Sequence, residues 1–298
     1  MTTPAQWVSG ARPRTLPAAV VPVVVGVAVA VDVSRDGETA VATSIFVVNG
    51  LLALVVSLAL QVAVNYANDY SDGVRGTDER RSGPLRLVAS GAATASAVKR
   101  AAMSAFVAAG VAGLVLAART SWWLIPLGLV CMIAGWTYTG GPRPYGYAGF
   151  GEVFVFVFFG LIATAGTTYV IVQQVSRLSV VSGGVAGFLA TALLVVNNIR
   201  DITTDRESGK RTLAVRLGAR RARLLYVLCY FCTSVAVVIA ALDVPLALIG
   251  LVGLLAALPA IATVRSATSA GELIRALGMT ARVQLVVGAL YALGIIVR

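Results

Sequence analysis

Nine apolar stretches dominate this chain, at residues 16–33, 41–67, 92–118, 121–138, 151–173, 180–199, 222–241, 245–264 and 280–297. Each is long enough to cross about 30 Å of hydrocarbon as a helix. In lipid every backbone N–H and C=O needs an internal partner, and a helix supplies one without a neighbour. The expectation is therefore an all-α polytopic membrane protein, one domain over residues 1–298, with about nine transmembrane helices. Composition agrees: 58% of residues are apolar and 12% charged, where soluble domains carry about a quarter charged.

The first stretch also has marks of a cleavable signal, with Arg12 and Arg14 ahead of it and Ala28-x-Ala30 near its end. Pro17 and Pro22 interrupt it and the rest of the chain is itself multispanning, so it is read as a retained first helix. The lead before it, with Trp7, Arg12 and Arg14, suits the membrane interface.

The formal net charge of +11 raises nucleic acid as a partner, but the basic residues fall in connections between apolar stretches. Membrane topology and anionic headgroups account for them there, and no nucleic acid is expected. With the N-terminus in the cytoplasm, all of the 24 Lys and Arg except Arg35, Arg119, Arg177 and Arg298 lie on the cytoplasmic side. So large a bias orients the bundle, N-terminus inside and C-terminus outside. Arg far outnumbers Lys, present only as Lys99 and Lys210, and Ala and Val are heavily used; this fits a GC-rich bacterial genome and hence a bacterial plasma membrane.

The chain has no histidine, which removes His-based zinc sites, His-ligated haem and Ser-His-Asp catalysis. Cys131, Cys229 and Cys232 lie inside apolar stretches and read as small packing residues.

Two polar clusters stand out at the ends of apolar helices. The first runs from Asn65 through Asn68, Asp69, Asp72 and Arg75 to Asp78, the second from Asn197 and Asn198 through Arg200, Asp201, Asp205 and Arg206 to Lys210 and Arg211. Both follow even-numbered helices, so both face the cytoplasm. About four helices separate Asn68 from Asn197, and each cluster opens on a Val-Asn pair, which suggests an internal repeat.

Residues four apart share a helix face, so Asn68 with Asp72, and Asp201 with Asp205, each bring two oxygens to one point, with Asn65 and Asp69 a second pair beside the first. Oxygen donors without His or Cys suit a hard cation such as magnesium, which keeps several waters and binds through a few carboxylates plus substrate phosphate. The implied ligand is a diphosphate. Solvated loop carboxylates are the bland alternative, but acids at membrane depth are costly and tend to be functional. Arg75, Arg80, Arg81 and Arg86 in the first loop, and Arg200, Arg206, Lys210 and Arg211 in the second, are placed to hold diphosphate oxygens. Arg216, Arg220, Arg221 and Arg223 lie past the second cluster and are assigned to headgroups and orientation. A third stretch, Tyr138 to Glu152, is rich in Gly, Pro and Tyr. It is either a fixed loop in an interfacial aromatic belt or, with Tyr138, Tyr145 and Glu152, an aromatic and acidic wall of the same cavity.

The chain resembles the UbiA superfamily of intramembrane prenyltransferases over essentially its whole length. The general marks are Asn68-Asp69-x-x-Asp72 and Asp201-x-x-x-Asp205-x-x-x-Gly209-x-x-Thr212. Narrower marks are Gly83-Pro84-Leu85-Arg86 with Ser90-Gly91, Gly141-Pro142-Arg143-Pro144-Tyr145-Gly146-Tyr147, and the run from Gly209 to Gly218. These resemble the branch that prenylates 1,4-dihydroxy-2-naphthoate, as does the late Asp78, where many members place an acid at the position of Gly76.

The resemblance implies a helical bundle around a cavity open to membrane lipids. Asn68, Asp72, Asp201 and Asp205, helped by Asp69 and Asp78, are then expected to hold Mg2+ on the diphosphate of a polyprenyl diphosphate, with Lys210 and the arginines stabilising the leaving group. Asn65, Asn198, Tyr138, Tyr145 and Glu152 are expected on the substrate side. The implied reaction joins the polyprenyl group to 1,4-dihydroxy-2-naphthoate with loss of diphosphate and CO2, giving demethylmenaquinone; the alternative within the superfamily is another aromatic acceptor. A secondary transporter is the rival from another class, but it would place its acids near the midplane. A phosphatidyl-alcohol transferase would gather its acids into one short motif.

Overall fold

The computed structural model describes residues 2–36, 41–77, 83 and 85–298, and every regular element among them is helical. A short helix, α1 (Pro4–Gly10), leads into α2 (Pro17–Asp36), α3 (Thr43–Val74), α4 (Ala95–Arg119) and α5 (Leu124–Thr137). After a loop come α6 (Gly151–Val172), α7 (Arg177–Glu207), α8 (Leu213–Ala240), α9 (Pro245–Ser266) and α10 (Ala270–Ile296). Eight of these are long and apolar enough to cross a membrane, and the remaining apolar helix, α5, has 14 residues. Among the described residues the nine apolar stretches are thus helical, eight as long spans and one as the shorter α5. Large side chains such as Val107, Val111 and Leu114 on α4, and Leu224, Leu228 and Phe231 on α8, stand exposed on the outside of the bundle. In a membrane protein such apolar outer faces meet lipid, and the exposed Trp122 and Trp123 between α4 and α5 suit its interface.

Three apolar clusters are arranged around a cavity. The largest joins α2, α7, α8, α9 and α10. A second sits where α3 and α4 meet the loop at Leu87, and a third lies toward the opposite end of the bundle, at Leu116, Val170 and Ile171. α7 is the central helix because its sequence is small: Gly183, Gly184, Ala186 and Gly187 let neighbours approach closely. The middle of α6, Phe156–Ile162, is a π-helix lying against that surface. A Cβ on Gly160 would stand only 2.4 Å from Gly187 Cα, so glycine is required there. The extra residue per turn places Phe158, Phe159 and Ile162 on the cavity wall.

Two helices overrun their expected ends at 67 and 199. α3 continues to Val74 and α7 to Glu207, so both polar clusters are helical over most of their length. Each helix then stops at a left-handed glycine, Gly76 (φ 69°) and Gly209 (φ 78°). The turns close alike, Thr77 N–H bonding to Asp72 O at 3.1 Å and Lys210 N–H to Asp205 O at 2.8 Å.

The four cations assigned to the far face lie together at the end of the bundle away from the clusters, each with a partner. Arg35 donates to Ile296 O, Arg119 to Asn49 Oδ1, Arg177 pairs with Asp243, and Arg298 with Asp32.

Candidate active site

A cavity of about 710 Å³ runs from the ends of α3 and α7 deep into the bundle. Its polar mouth carries Asn65, Asn68 and Asp72 from α3 and Asn198, Arg200, Asp201 and Asp205 from α7, with Arg86, Tyr138, Tyr145, Tyr147 and Lys210 beside them. Deeper in, it is lined by apolar side chains of α2 to α7.

The two polar walls share one register. Asn198 answers Asn65, Asp201 answers Asn68, Asp205 answers Asp72 and Gly209 answers Gly76, at a constant offset. In this register Asn65 pairs with Asn198. Spacings of three and four residues put each set on one helix face.

The carboxylates here are almost fully buried, 3% exposed at Asp72 and Asp201 and 8% at Asp205. Buried charge requires compensation. Arg200 grips Asp201 with two bonds of 2.7 Å, Nε to Oδ1 and Nη2 to Oδ2. Lys210 Nζ reaches across from the second wall to Asp72 Oδ2 at 3.1 Å, which establishes that the two clusters converge. Tyr147 donates its hydroxyl to the other oxygen of Asp72 at 2.5 Å, and Thr139 donates to Asn68 Oδ1 at 2.7 Å. Burial, followed by the Asp72 charge, raises the Tyr147 phenol above its ordinary range, so it stays a donor.

Several expected residues hold other posts. Asp69 is turned away from the cavity: its carboxylate accepts the backbone N–H groups of Leu87 (2.8 Å) and Val88 (3.0 Å), fastening the first loop to α3. Arg75 is occupied by carbonyl oxygens of the 138–150 loop, those of Thr139 and Gly141. Arg206 and Arg211 are exposed and lie off the cavity wall. Glu152 stands behind that wall, where its Oε1 accepts from Asn198 Nδ2 at 3.0 Å, so it holds Asn198 from the rear. Asp78 and Arg81 lie outside the described residues, as does Arg80.

Arg12, which the sequence assigned to the interface, lines the cavity instead. Its backbone is left-handed (φ 54°) just before Pro13, and its buried Nη2 meets no protein acceptor. Asn65 Nδ2 secures this segment by bonds to Ala11 O (2.8 Å) and Thr15 Oγ1 (3.0 Å). Tyr147, as a contact of Asp72, and Thr139, as a contact of Asn68, were also missed. The Tyr147 signal was present in the 141–147 motif, whereas nothing local marks Arg12.

A family model described as the UbiA prenyltransferase family matches residues 19–279. The chain belongs to that family. It is 46% identical over 286 residues to a Mycobacterium tuberculosis protein named 1,4-dihydroxy-2-naphthoate octaprenyltransferase, covering 96% of this chain and 95% of that one. An Escherichia coli protein of the same name is 39% identical over 224 residues, with coverage of 73% and 70%. The UbiA fold is also found in solved structures. A UbiA homolog from Aeropyrum pernix matches with a TM-score of 0.67 at 15% identity, over 93% of this chain and 97% of that one. One from Archaeoglobus fulgidus, solved with GPP and Mg2+, matches with a TM-score of 0.64 at 16% identity, over 98% and 100%.

As to a metal, the described residues hold no group of three or more acidic, His or Cys side chains that would cage an ion alone. Paired carboxylate and amide oxygens on two facing walls instead suit a cation that draws its remaining ligands from phosphate and water, as magnesium does. The donor set fits.

Proposed function

We propose that this UbiA-family prenyltransferase transfers a polyprenyl group from polyprenyl diphosphate to 1,4-dihydroxy-2-naphthoate, releasing diphosphate and CO2 and giving the hydroquinone demethylmenaquinol, the reduced form of demethylmenaquinone. The observation that carries the reading is the convergence of Asp72 and Lys210 from opposite walls at the polar mouth of an apolar cavity. The naphthoate acceptor is supported by the names of the bacterial relatives above.

Asn68, Asp72, Asp201 and Asp205 would hold Mg2+, which supplies positive charge against the departing diphosphate. Lys210, Arg200 and Arg86 bind diphosphate oxygens, and their charge counts most as the allylic C–O bond breaks and negative charge collects on the leaving group. The apolar wall, with Phe154, Phe158 and Phe159, holds the prenyl chain and keeps water from the allylic carbocation. Arg12 offers its unpartnered nitrogen to the carboxylate of the acceptor. Asn198, steadied by Glu152, presents its carbonyl oxygen to a ring hydroxyl. The ring attacks the cation, and loss of the carboxylate as CO2 restores aromaticity.

The site opens to the cytoplasm of a bacterial cell, where water-soluble acceptor and product diphosphate are handled, while the prenyl chains enter and leave through lipid. Membranes containing the chain, given magnesium, radiolabelled polyprenyl diphosphate and a panel of aromatic acids, are expected to label the naphthoate alone. Preferential labelling of a benzoate would replace the acceptor, and no labelling of any acceptor would end the reading. A cysteine at exposed position 206 is expected to react only from the cytoplasmic side; reaction from outside would invert the orientation.

A further inference from the structure

The loop over residues 138–150 belongs to neither half of the repeat, yet it touches both. On the α3 side it is tied by Arg75 to the carbonyls of Thr139 and Gly141, by Thr139 to Asn68, and by Tyr147 to Asp72. On the α7 side, Arg211 N–H bonds to Tyr147 O at 2.9 Å, and Lys210 Nζ stands 4.8 Å from the centre of the Tyr147 ring. Arg75 lies over the same ring at 5.4 Å.

Tyr147 thus meets both members of the ion pair that bridges the walls. Its hydroxyl fixes one oxygen of Asp72, leaving the other to Lys210, and its π face attracts the ammonium of Lys210. A lysine on a flexible four-carbon stem has no preferred direction of its own. The ring supplies one, and the hydroxyl prevents the carboxylate from rotating away.

We propose that Tyr147 is a positioning residue that couples the two half-sites, aligning Asp72 and Lys210 for the diphosphate. The inference rests on the reading of the mouth as a magnesium diphosphate site. Its ring and hydroxyl act on different partners, so they are separable. Removing the hydroxyl frees Asp72 and weakens the metal-dependent part of binding; weakening the ring face frees Lys210 and weakens the hold on the anion.

The test is direct binding of geranyl thiodiphosphate, an unreactive donor analogue, to the full chain in lipid nanodiscs across a magnesium titration. Tyr147→Phe is expected to raise the magnesium needed for half-saturation about tenfold, the effect of one hydrogen bond to a charged group, without changing the melting temperature of the unliganded protein by more than a few degrees. Lys210→Met is expected to cost less affinity in the Tyr147→Phe background than in the wild type, because the two act through one arrangement. Replacing Tyr147 with 3,5-difluorotyrosine keeps the shape and draws charge from the ring face; it is expected to weaken analogue binding about threefold, and it keeps the question open to measurement if the Phe variant does not fold. Unchanged magnesium dependence in Tyr147→Phe, fully independent effects of the two substitutions, or unchanged affinity in the fluorinated chain would overturn the coupling role. If the wild type itself fails to bind analogue with magnesium, it is the diphosphate site that falls.

Discussion

In α3 only 22% of the most apolar segment is buried, whereas in α7 the figure is 72%. One helix runs along the outside of the bundle and the other through its centre, yet both end in rows of the same spacing: Asn65, Asn68, Asp72 and Gly76 on the first, Asn198, Asp201, Asp205 and Gly209 on the second, with Asn68 standing where the second has an acid. The walls match in geometry and differ in charge. At the register of Lys210 the first half has Thr77, and at that of Arg200 it has Ala67. The cations gripping Asp72 and Asp201 therefore both come from the second half. Acids are shared between the halves while these cations are concentrated in one, which lets a single loop turn after α7 serve the opposite wall.

Breaking either acid should be equally severe. Asp72→Ala and Asp201→Ala are each expected to lower prenyl transfer on the order of a thousandfold, equivalent to several kcal/mol of charge stabilisation, in protein that still folds. Near-normal transfer in one of them would mean that only one wall binds the diphosphate.

The asymmetry is sharpened by the cations. Lys210→Met is expected to reduce kcat/KM about a hundredfold, while Thr77→Val, its counterpart in the other half, changes it by no more than about twofold. A large effect of Thr77→Val would show that the first half contributes its own donor. Gly76→Ala and Gly209→Ala place a Cβ at matching left-handed positions and should each lower stability by about 1–2 kcal/mol. Only Gly209→Ala is expected to weaken diphosphate binding as well, by roughly tenfold, since Lys210 rides on that turn. Equal binding losses would contradict the difference drawn between the halves.

The deep asparagines differ more subtly. Asn65 is fixed by two acceptors of the N-terminal segment, Asn198 by the single carboxyl of Glu152. Glu152→Gln keeps an acceptor and should leave KM for the aromatic acid within about twofold, whereas Glu152→Leu leaves the amide unpaired and should raise it about tenfold. Loss of activity in Glu152→Gln would assign the carboxyl a proton-transfer role instead.

Much of this was written locally. Apolar length gave the helices, and paired oxygen donors at i, i+4 marked both walls, because those signals depend only on residues near in sequence. The continuation of α3 and α7 was less visible: a polar helix end looks like a loop until its side chains find tertiary partners, and only the glycines at 76 and 209 mark the stops. The posts of Asp69, Arg75 and Arg12 were not legible, since an acid or guanidinium reads alike whether it faces a ligand or a backbone group brought in by another segment. Tyr147 lies between these cases, because its motif was visible but not the pair it joins.

The central claim is that two walls hold one metal-bound diphosphate. The most direct measurement is the coupling between Mn2+, substituted for magnesium, and the phosphorus nuclei of geranyl thiodiphosphate, followed by electron–nuclear double resonance in the wild type, Asp72→Asn and Asp201→Asn. The account predicts strong phosphorus coupling in the wild type and its loss in both variants. Coupling that persists unchanged in either one would place the diphosphate on a single wall and contradict the claim.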